Sequence, residues 1–274
     1  MRIIAILLLL SMMAPAQSLV LKDGRVVGAT RVLRKGDKIV AESAPAGEAI
    51  FAITEIERIA FPEPPEIARV PELIVAGKGE EAIALIEPVV NYQVDFRELP
   101  GNWWAEAALR LAQALEAQER GLESQSLAEK ISASAPNREI ACAADVQIAV
   151  VLLRRGDRER ALRLAERVLA ESRRSGPRAG AFVVKGQCLL AEEKWEDAIL
   201  SFLQVPVFYP GETGLLPGVI LGRGRALLGM DDFSAARAAL EELRLSYPAS
   251  AEAKLALKEL ERVANREKGL AASR

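Results

Sequence analysis

Small side chains recur at a nearly constant interval through most of this 274-residue chain. Ala82, Ser124, Ala161, Ala198 and Ala236 each lie near the start of an amphipathic helical stretch, at successive intervals of 42, 37, 37 and 38 residues. Two helices approach closely only where the side chains between them are small. A fixed period of this size predicts stacked helix pairs, because no pair buries its apolar face alone and neighbours must share a core.

Larger apolar residues and prolines stand at fixed distances from these small residues. Phe202 and Leu240 follow Ala198 and Ala236 by one helical turn and are expected to fill the gap between paired helices. Prolines come later in several units and are expected to end the second helices, because proline has no N–H to donate to a continuing helix. These prolines are Pro136, Pro210 and Pro248.

This pattern resembles the tetratricopeptide repeat signature. Two units carry its small residues, its larger residue four positions later and its closing proline: Gly186, Ala198, Phe202 and Pro210, then Gly224, Ala236, Leu240 and Pro248. The repeat of that family is about 34 residues long. The longer interval here therefore predicts extra turn residues between the units. The resemblance implies a mainly α fold, a tetratricopeptide-like α-solenoid of antiparallel helix pairs, preceded by a small β-rich N-terminal unit.

The sequence predicts five segments along the chain. Residues 1–17 form a signal peptide, 18–61 the small β-rich unit and 62–66 a proline-rich linker. Residues 67–264 hold the helical repeats, whose last helix caps the stack, and residues 265–274 are expected to be a frayed tail. Proline biases its predecessor away from helix, which is why Pro62-Glu63-Pro64-Pro65 is predicted to separate strands from helices.

The first residues have the pattern of a Sec-type signal peptide. Arg2 precedes an apolar run from Ile3 to Leu10, and Ala14-Pro15-Ala16 provides an Ala-x-Ala end. The run is too short for a transmembrane helix. Cleavage is predicted after Ala16, and no Cys follows for lipoprotein attachment. The protein is therefore expected to be exported to the periplasm; a buried N-terminal helix is the alternative.

The segment from Leu19 to Phe61 is strand-like. Asp23-Gly24 lies between the apolar stretches Leu19 to Leu21 and Val26-Val27 and predicts a hairpin, because glycine tolerates the positive φ of a tight turn. Further apolar stretches follow at Ile39-Val40, residues 49–53 and residues 56–61. The segment as a whole is predicted to form four short strands joined by glycine turns.

This β-rich segment weakly resembles small SH3-like or Sm-like barrels. The resemblance rests on Leu21-Lys22-Asp23-Gly24 with Gly28, and on Ile56 with Ile59 as a closing strand. The segment carries none of that family's RNA-binding residues. A packing module that caps the helices is the preferred interpretation.

Composition excludes several classes of chemistry. The chain contains no histidine, so Ser-His-Asp and Cys-His catalytic groups and histidine-containing zinc sites are excluded, and two cysteines cannot form a Cys₄ site. A formal net charge of −2 gives no basic excess for nucleic acid. No catalytic residue, cofactor or metal site is predicted. Cys142 and Cys188 could pair in an oxidising compartment, but two buried thiols are the preferred reading.

Two aromatic segments are candidate binding sites. Trp103 and Trp104 are adjacent at a predicted helix start, where Asn102 could cap the helix, and they could serve as an aromatic hot spot or simply pack. The segment from Val205 to Pro210 could form an exposed patch or fill the seam between repeats. Paired carboxylates such as Glu192-Glu193 and Asp231-Asp232 fall in predicted turns, where solvated charge is expected.

The resemblance to tetratricopeptide repeats also implies a binding surface. In that family the first helix of each pair lines a concave face that binds peptides or helices, and the corresponding residues here are Gln113, Val150, Arg154, Gln187 and Arg225. Arginine and amide side chains suit carbonyl groups or a peptide carboxylate. Ordinary solvated helix positions are the alternative reading of these residues.

The function predicted from the sequence is a non-enzymatic, exported scaffold or adaptor. Its expected partner is a protein or peptide of the cell envelope, not a nucleic acid. The alternatives are a structural subunit that forms homo-oligomers within an envelope complex and, less favoured, a hydrolase that uses a carboxylate pair.

Overall fold

The computed structural model describes residues 17–43, 47–135 and 137–272. The signal peptide predicted at residues 1–17 lies outside the described residues, except for Gln17. The chain divides into two compact units. One comprises the chain up to Pro64 together with Gln93–Trp103, and the other comprises Pro65–Tyr92 and Trp104–Arg274.

The first unit contains six strands in the described residues, not the four that the sequence predicts. They are β1 (Gln17–Leu21), β2 (Val26–Ala29), β3 (Arg31–Lys35), β4 (Lys38–Ser43), β5 (Gly47–Ala52) and β6 (Ile56–Ala60). They form two antiparallel sheets with strand orders β2-β1-β6 and β3-β4-β5. Strand β3 has charged residues at both ends and a single fully buried residue, Val32. Its sequence therefore lacks the apolar alternation that would predict a strand.

Glycine turns join the strands as the sequence predicts. Gly24 between β1 and β2 has a φ of +87°, and Gly36 between β3 and β4 has a φ of +67°. In β1 the alternate residues Leu19 and Leu21 are buried. This alternation follows from the two-residue period of a strand with one face in a core.

The segment Gln93–Trp103 completes the first unit, although the sequence places it among the repeats. The Phe61 and Phe96 rings meet edge to face at 5.1 Å, and the Ile59 amide donates to the Pro100 carbonyl over 2.9 Å. Gly101 lies against the Ile59 carbonyl, where an ideal Cβ would stand only 1.9 Å from the oxygen. Only glycine fits this approach.

The second unit is an α-solenoid of antiparallel helix pairs. Its helices are α1 (Glu66–Val75), α2 (Gly79–Gln93, whose last residue is in the first unit), α3 (Trp104–Ala117), α4 (Gly121–Ser134), α5 (Arg138–Arg154), α6 (Arg158–Glu171), α7 (Ser175–Ala191), α8 (Trp195–Phe208), α9 (Leu216–Gly229), α10 (Phe233–Ser246) and α11 (Ala251–Ala272). The first helices of successive pairs, α3, α5, α7 and α9, stack on one another, and α11 packs on α9 and α10.

The small residues of the repeat pattern lie at the helix contacts. Ala82, Ser124, Ala161, Ala198 and Ala236 are all fully buried. The hydroxyl of Ser124 donates to the Ala112 carbonyl over 2.7 Å, so the polar member of the set also has its hydrogen bond. The predicted packing role of these positions is confirmed.

The second helices end shortly before the prolines, as the sequence predicts. Helix α8 ends at Phe208 and α10 at Ser246, two residues before Pro210 and Pro248. Pro136 lies outside the described residues, and α4 ends at Ser134. At the carboxyl end, α11 continues beyond Ala264 to Ala272, through residues expected to be frayed. Arg266 stabilises this extension, because its guanidinium donates to the Leu228 carbonyl over 2.9 Å and pairs with Asp231.

The first helix of the solenoid also contacts its late repeats. Helix α1 packs on α3 and touches the 3₁₀ turn Thr213–Leu215 that precedes α9. The turn after α1 reaches the loop between α10 and α11, where a Cβ on Gly77 would stand 2.7 Å from the Ala249 carbonyl oxygen. Long-range contacts therefore link the two ends of the repeat array.

Candidate functional site

Four of the predicted binding residues occupy equivalent positions in successive first helices. Gln113, Val150, Gln187 and Arg225 each follow the small buried residue that faces the second helix of the pair. Because α3, α5, α7 and α9 stack side by side, these positions fall in a row, and all four residues are half-buried. We refer to these four residues as the first-helix row.

The members of the row differ in the hydrogen-bonding capacity they leave open. The side-chain oxygen of Gln113 accepts from Arg110 over 2.9 Å. Among the described residues, no hydrogen-bond partner exists for the amide of Gln187, which leaves both its donors and its acceptor available. Val150 packs against the buried cluster around Ala149 and Leu152. The row thus offers one free amide beside an apolar surface.

Arg225 is held by an ion pair at the carboxyl end of the row. Its Nε donates to Glu259 of α11 over 2.9 Å, and Arg262 reaches the same carboxylate over 3.0 Å. Glu259 is buried. Two cations around one buried carboxylate leave this end of the row with a net positive charge.

Arg154, the fifth predicted residue, lies outside the row and links α5 to α3. Its Nε donates to Glu116 Oε1 over 2.9 Å, and its Nη1 donates to the Glu116 carbonyl over 3.3 Å. Glu116 is almost fully buried, and its Oε2 has no hydrogen-bond partner among the described residues. Burial raises the pKa of Glu116, and the Arg154 charge lowers it. This geometry commits much of Arg154 to the stack.

A similar pair occurs on the other side of α5. Asp145 is buried, and its carboxylate accepts from Arg167 over 2.8 Å and from the Ser132 hydroxyl over 2.9 Å. Both pairs combine a buried carboxylate with a half-exposed arginine. Breaking one would leave an unpaired buried charge, so these arginines position helices.

The two tryptophans have little exposed surface. Trp104 is buried at the start of α3. Trp103 is half-buried, and its indole N–H donates to the Phe61 carbonyl over 2.9 Å while its backbone N–H donates to Gln93 over 3.2 Å. Asn102 donates to the Leu99 carbonyl over 2.6 Å. These contacts favour the packing alternative over an aromatic hot spot.

The segment from Val205 to Pro210 serves both purposes considered from the sequence. Val205 is fully buried, and the Tyr209 ring lies 6.1 Å from Phe182, so part of the segment fills the seam between repeats. Val207 and Phe208 remain about two-thirds exposed, at 63% and 65%. Which of these residues are exposed depends on the orientation of α8, which the sequence does not determine.

The paired carboxylates lie at helix turns. Asp232 caps α10 by accepting from the Ala235 amide over 3.0 Å, and Asp231 pairs with Arg266. Glu192 pairs with Lys194 over 2.8 Å. Within the described residues, no group of three or more metal-ligating side chains is found. None of the helices described is both long and apolar enough to cross a membrane.

Cys142 and Cys188 are separate, buried thiols. Burial raises the pKa of the Cys188 thiol to about 11 and that of Cys142 in the same direction. A thiol that stays protonated is a poor nucleophile. Both residues act as small apolar side chains in the core shared by α5, α6 and α7.

Comparison with known proteins places two stretches of the chain in one family. The sequence model described as Tetratricopeptide repeat matches residues 146–213 and 221–268. These stretches cover α6, α7, α8 and α10 completely and more than half of each of α5, α9 and α11. No curated protein matches the chain significantly.

Several solved structures are similar to this chain over about two thirds to three quarters of its length. A putative kinesin light chain with nearly identical TPR-like repeats from Podosopora anserina is 20% identical, covering 66% of this chain and 92% of its own, with a TM-score of 0.43. YrrB, a TPR protein with an unusual peptide-binding site, is 19% identical, covering 71% and 91%, with a TM-score of 0.38. A tetratricopeptide repeat protein from Parabacteroides merdae is 13% identical, covering 75% and 78%, with a TM-score of 0.39.

Proposed function

Because residues 146–213 and 221–268 are tetratricopeptide repeats, we propose that this protein is a non-enzymatic scaffold that binds an envelope protein or peptide along its first-helix row. The tetratricopeptide fold itself implies interaction with proteins or peptides. The observation that carries the proposal is the alignment of half-buried Gln113, Val150, Gln187 and Arg225 on stacked helices, with the Gln187 amide lacking a partner among the described residues.

The chemistry of the row supports an extended peptide as the partner. A free amide can donate to one backbone carbonyl and accept from one backbone N–H of a peptide. The positive end at Arg225 and Arg262 suits a carboxylate. Val150, on the helix between those of Gln113 and Gln187, adds an apolar contact. This combination resembles the general anatomy of peptide sites, in which a few polar groups fix the orientation of a ligand on an apolar surface.

A double variant of the row tests the proposed site. Gln113→Glu with Gln187→Glu keeps the side-chain shapes but replaces amide donors with carboxylates. We expect envelope extracts to yield at least about fivefold less of a defined partner by affinity capture, since each lost hydrogen bond contributes about 0.5–1.5 kcal/mol. Quantitative mass spectrometry measures the change.

The matched control is Arg163→Glu, an exposed residue on α6 that is not part of the row. It also makes the charge more negative, and it should leave capture unchanged. Equal loss with both variants, or no loss with the double variant, would refute the site. Capture of nothing but further copies of the chain would favour the alternative, a self-associating structural subunit.

Export to the periplasm is a second part of the proposal. The basic residue, apolar run and Ala-x-Ala end of residues 1–16 support it. The first strand starts at Gln17, whose side chain accepts from the Val32 amide over 3.0 Å, so the proposed cleavage after Ala16 leaves β1 whole. We expect the protein in the osmotic-shock fraction, with Gln17 or Ser18 as its first residue by Edman sequencing. An uncleaved chain retained with cytoplasmic markers would contradict export.

A further inference from the structure

An open groove lined by both apolar and polar side chains runs between α7 and α8. Its volume is about 450 Å³. Its α7 side is lined by Phe182, Lys185 and Leu189, and its α8 side by Asp197, Leu200, Ser201 and Gln204. This surface is distinct from the first-helix row, because Gln187 points from another face of α7. We call it the α8 groove.

Exposed apolar residues extend the groove along α8. Leu200 is 60% exposed, Val207 63% and Phe208 65%. Together with Gln204 they are spaced at i, i+4, i+7 and i+8, so they lie on one face of a helix with 3.6 residues per turn. That spacing is the one by which an amphipathic helix presents its apolar stripe to a neighbour. Here no described helix covers it.

The other repeats provide an internal control. Each second helix has three residues that lie as far from its own small buried residue as Leu200, Val207 and Phe208 lie from Ala198. The equivalent residues are Ala84, Asn91 and Tyr92 in α2, Ser126, Ala133 and Ser134 in α4, Arg163, Ala170 and Glu171 in α6, and Ala238, Leu245 and Ser246 in α10. Tyr92 and Leu245 are single large residues at these positions, and only α8 carries large apolar residues at all three.

Two charges in the groove have no ion-pair partner. Lys185 is half-buried on the α7 side, and Asp197 is exposed in the first turn of α8. Among the described residues, neither forms a close ion pair or a hydrogen bond, although Asp197 interacts electrostatically with Lys194 at the start of α8. Since α7 and α8 are antiparallel, Asp197 lies toward the turn between them, and Lys185 lies further along the groove. A ligand in the groove would therefore lie beside the negative charge of Asp197 near this turn and beside the positive charge of Lys185 further along.

The apolar area is too small for a stable dimer. Burying a whole aromatic side chain removes about 150–250 Å² from water. Three partly buried side chains therefore fall well short of the roughly 800 Å² per partner that a stable interface buries. A groove of this volume is the right size for side chains inserted by a short segment, because ligand sites measure about 300–1,000 Å³.

We propose that the α8 groove binds a short amphipathic helix of a partner protein, about four turns long, that carries a basic residue opposite Asp197 and an acidic residue opposite Lys185. Helix α8 has 14 residues and is therefore about 21 Å long, which matches such a segment. Apolar side chains of the partner fill the space between Leu189 and Phe182 and cover Val207 and Phe208. The binding mode is a helix in a groove with i, i+3, i+4 and i+7 anchors.

A synthetic peptide tests the proposal on the full-length protein. The probe is a fluorescein-labelled helical peptide of about 14 residues with a leucine stripe at i, i+4 and i+7, one lysine and one glutamate placed to meet Asp197 and Lys185. Fluorescence anisotropy measures its dissociation constant. The Leu200→Ser, Phe208→Ser double variant should weaken binding about tenfold or more, because two apolar anchors are lost. Failure of the wild-type protein to bind the probe would overturn the proposal.

Charge exchange makes the test specific. Lys185→Glu should weaken the probe about threefold, and a second peptide with its lysine and glutamate exchanged should not bind the wild-type groove better than the first. A Lys185→Glu, Asp197→Lys variant should reverse this order. An unchanged order would show that any apolar peptide adheres to α8 and would overturn the proposed orientation.

Two controls separate the site from general effects. Leu245→Ser removes an 81% exposed leucine from α10, outside the α8 groove, and should leave binding unchanged. Thermal melts by circular dichroism should agree for all these surface variants. Sedimentation velocity of the wild-type protein addresses the other occupant: a dimer that Leu200→Ser, Phe208→Ser converts to monomers would identify a second copy in the groove and refute a partner helix.

Discussion

At the scale of single residues, the turns within the helix pairs share a backbone conformation. One residue in each turn has a positive φ: Gly77 (72°), Glu119 (60°), Gly156 (86°), Glu193 (59°) and Asp231 (61°). Each stands five positions before the small residue of its repeat. A non-glycine residue in this left-handed region costs roughly 1–2 kcal/mol. The positive φ therefore recurs with the same period as the repeats. Only some of these positions are occupied by glycine, so the sequence shows this period only in part.

Glu116 provides a residue-scale prediction on pH. Burial raises its pKa and Arg154 opposes the shift, so the folded protein holds the Glu116 proton more tightly than the unfolded chain. Stability from this group is gained as pH falls and is lost as pH rises through the raised pKa. Relative to Glu116→Gln, the wild-type free energy of unfolding should increase as the pH is lowered from neutral toward the ordinary pKa of a glutamate, measured by urea denaturation.

Glu123 is the matched control, because its pKa is shifted the other way. Its hydrogen bonds from Arg120 lower the pKa of its carboxyl group. Stability from Glu123 is present above the ordinary glutamate pKa and is lost as pH falls through the lowered value. Relative to Glu123→Gln, the wild-type protein should therefore lose stability in acid. If the difference between wild type and variant changed with pH in the same direction for Glu116 and Glu123, the assignment of opposite pKa shifts would be wrong.

At the scale of elements, one phenylalanine connects three helices. Phe202 of α8 is fully buried between Gly186 of α7 and Gly222 of α9. An ideal Cβ would lie 2.7 Å from the ring at Gly186 and 2.3 Å from it at Gly222. The ring therefore occupies the space that a side chain at either glycine would need. This contact joins one repeat to the next through residues of both.

The contact predicts opposite effects for two alanine substitutions in α9. Gly222→Ala should lower the free energy of unfolding by about 1–3 kcal/mol, because the new methyl group overlaps a confined ring. Gly218→Ala, in the same helix but with no atom within 4 Å of its Cβ position, should raise it by about 0.5–1 kcal/mol through helix propensity. Chemical denaturation measures both. A stabilised Gly222→Ala protein would show that the ring is free to move.

At the scale of the whole helical unit, the first hairpin is tied to the last repeat. Gly77 approaches the Ala249 carbonyl, and α1 touches the turn before α9. Solenoids usually contact only nearest-neighbour repeats. A contact between repeats so distant in sequence should make the array unfold more cooperatively than independent pairs would.

Alanine at two equivalent glycines tests this long-range contact. Gly156→Ala should cost about 1–2 kcal/mol, the cost of a positive φ alone, since nothing lies within 4 Å of its Cβ position. Gly77→Ala has the same backbone cost and also places a methyl group against the Ala249 carbonyl, so it should cost about 1–3 kcal/mol more. Urea denaturation followed by circular dichroism measures both. Equal costs would show that the contact with Ala249 contributes nothing to stability.

The sequence alone was enough to predict the repeat array, because helix packing imposes small residues at Ala82, Ser124, Ala161, Ala198 and Ala236 whatever the partner. It also predicted the glycine turns of the β-rich unit, since positive φ is restricted to few residue types. Strand β3 and the placement of Gln93–Trp103 with that unit were missed. Their determining contacts, such as Pro100 with Ile59, join residues far apart in the sequence.

Only the tertiary structure decided how the candidate site residues are used. The sequence could place Arg154 and Gln187 on first helices, but only packing revealed that Arg154 covers buried Glu116 while the Gln187 amide is free among the described residues. It likewise separated exposed Phe208 from buried Val205, four residues apart in the repeat seam that the sequence suggested. The physical reason is that burial and ion pairing depend on the rotation of each helix against its neighbours, which a one-dimensional period constrains only for the residues at the contact.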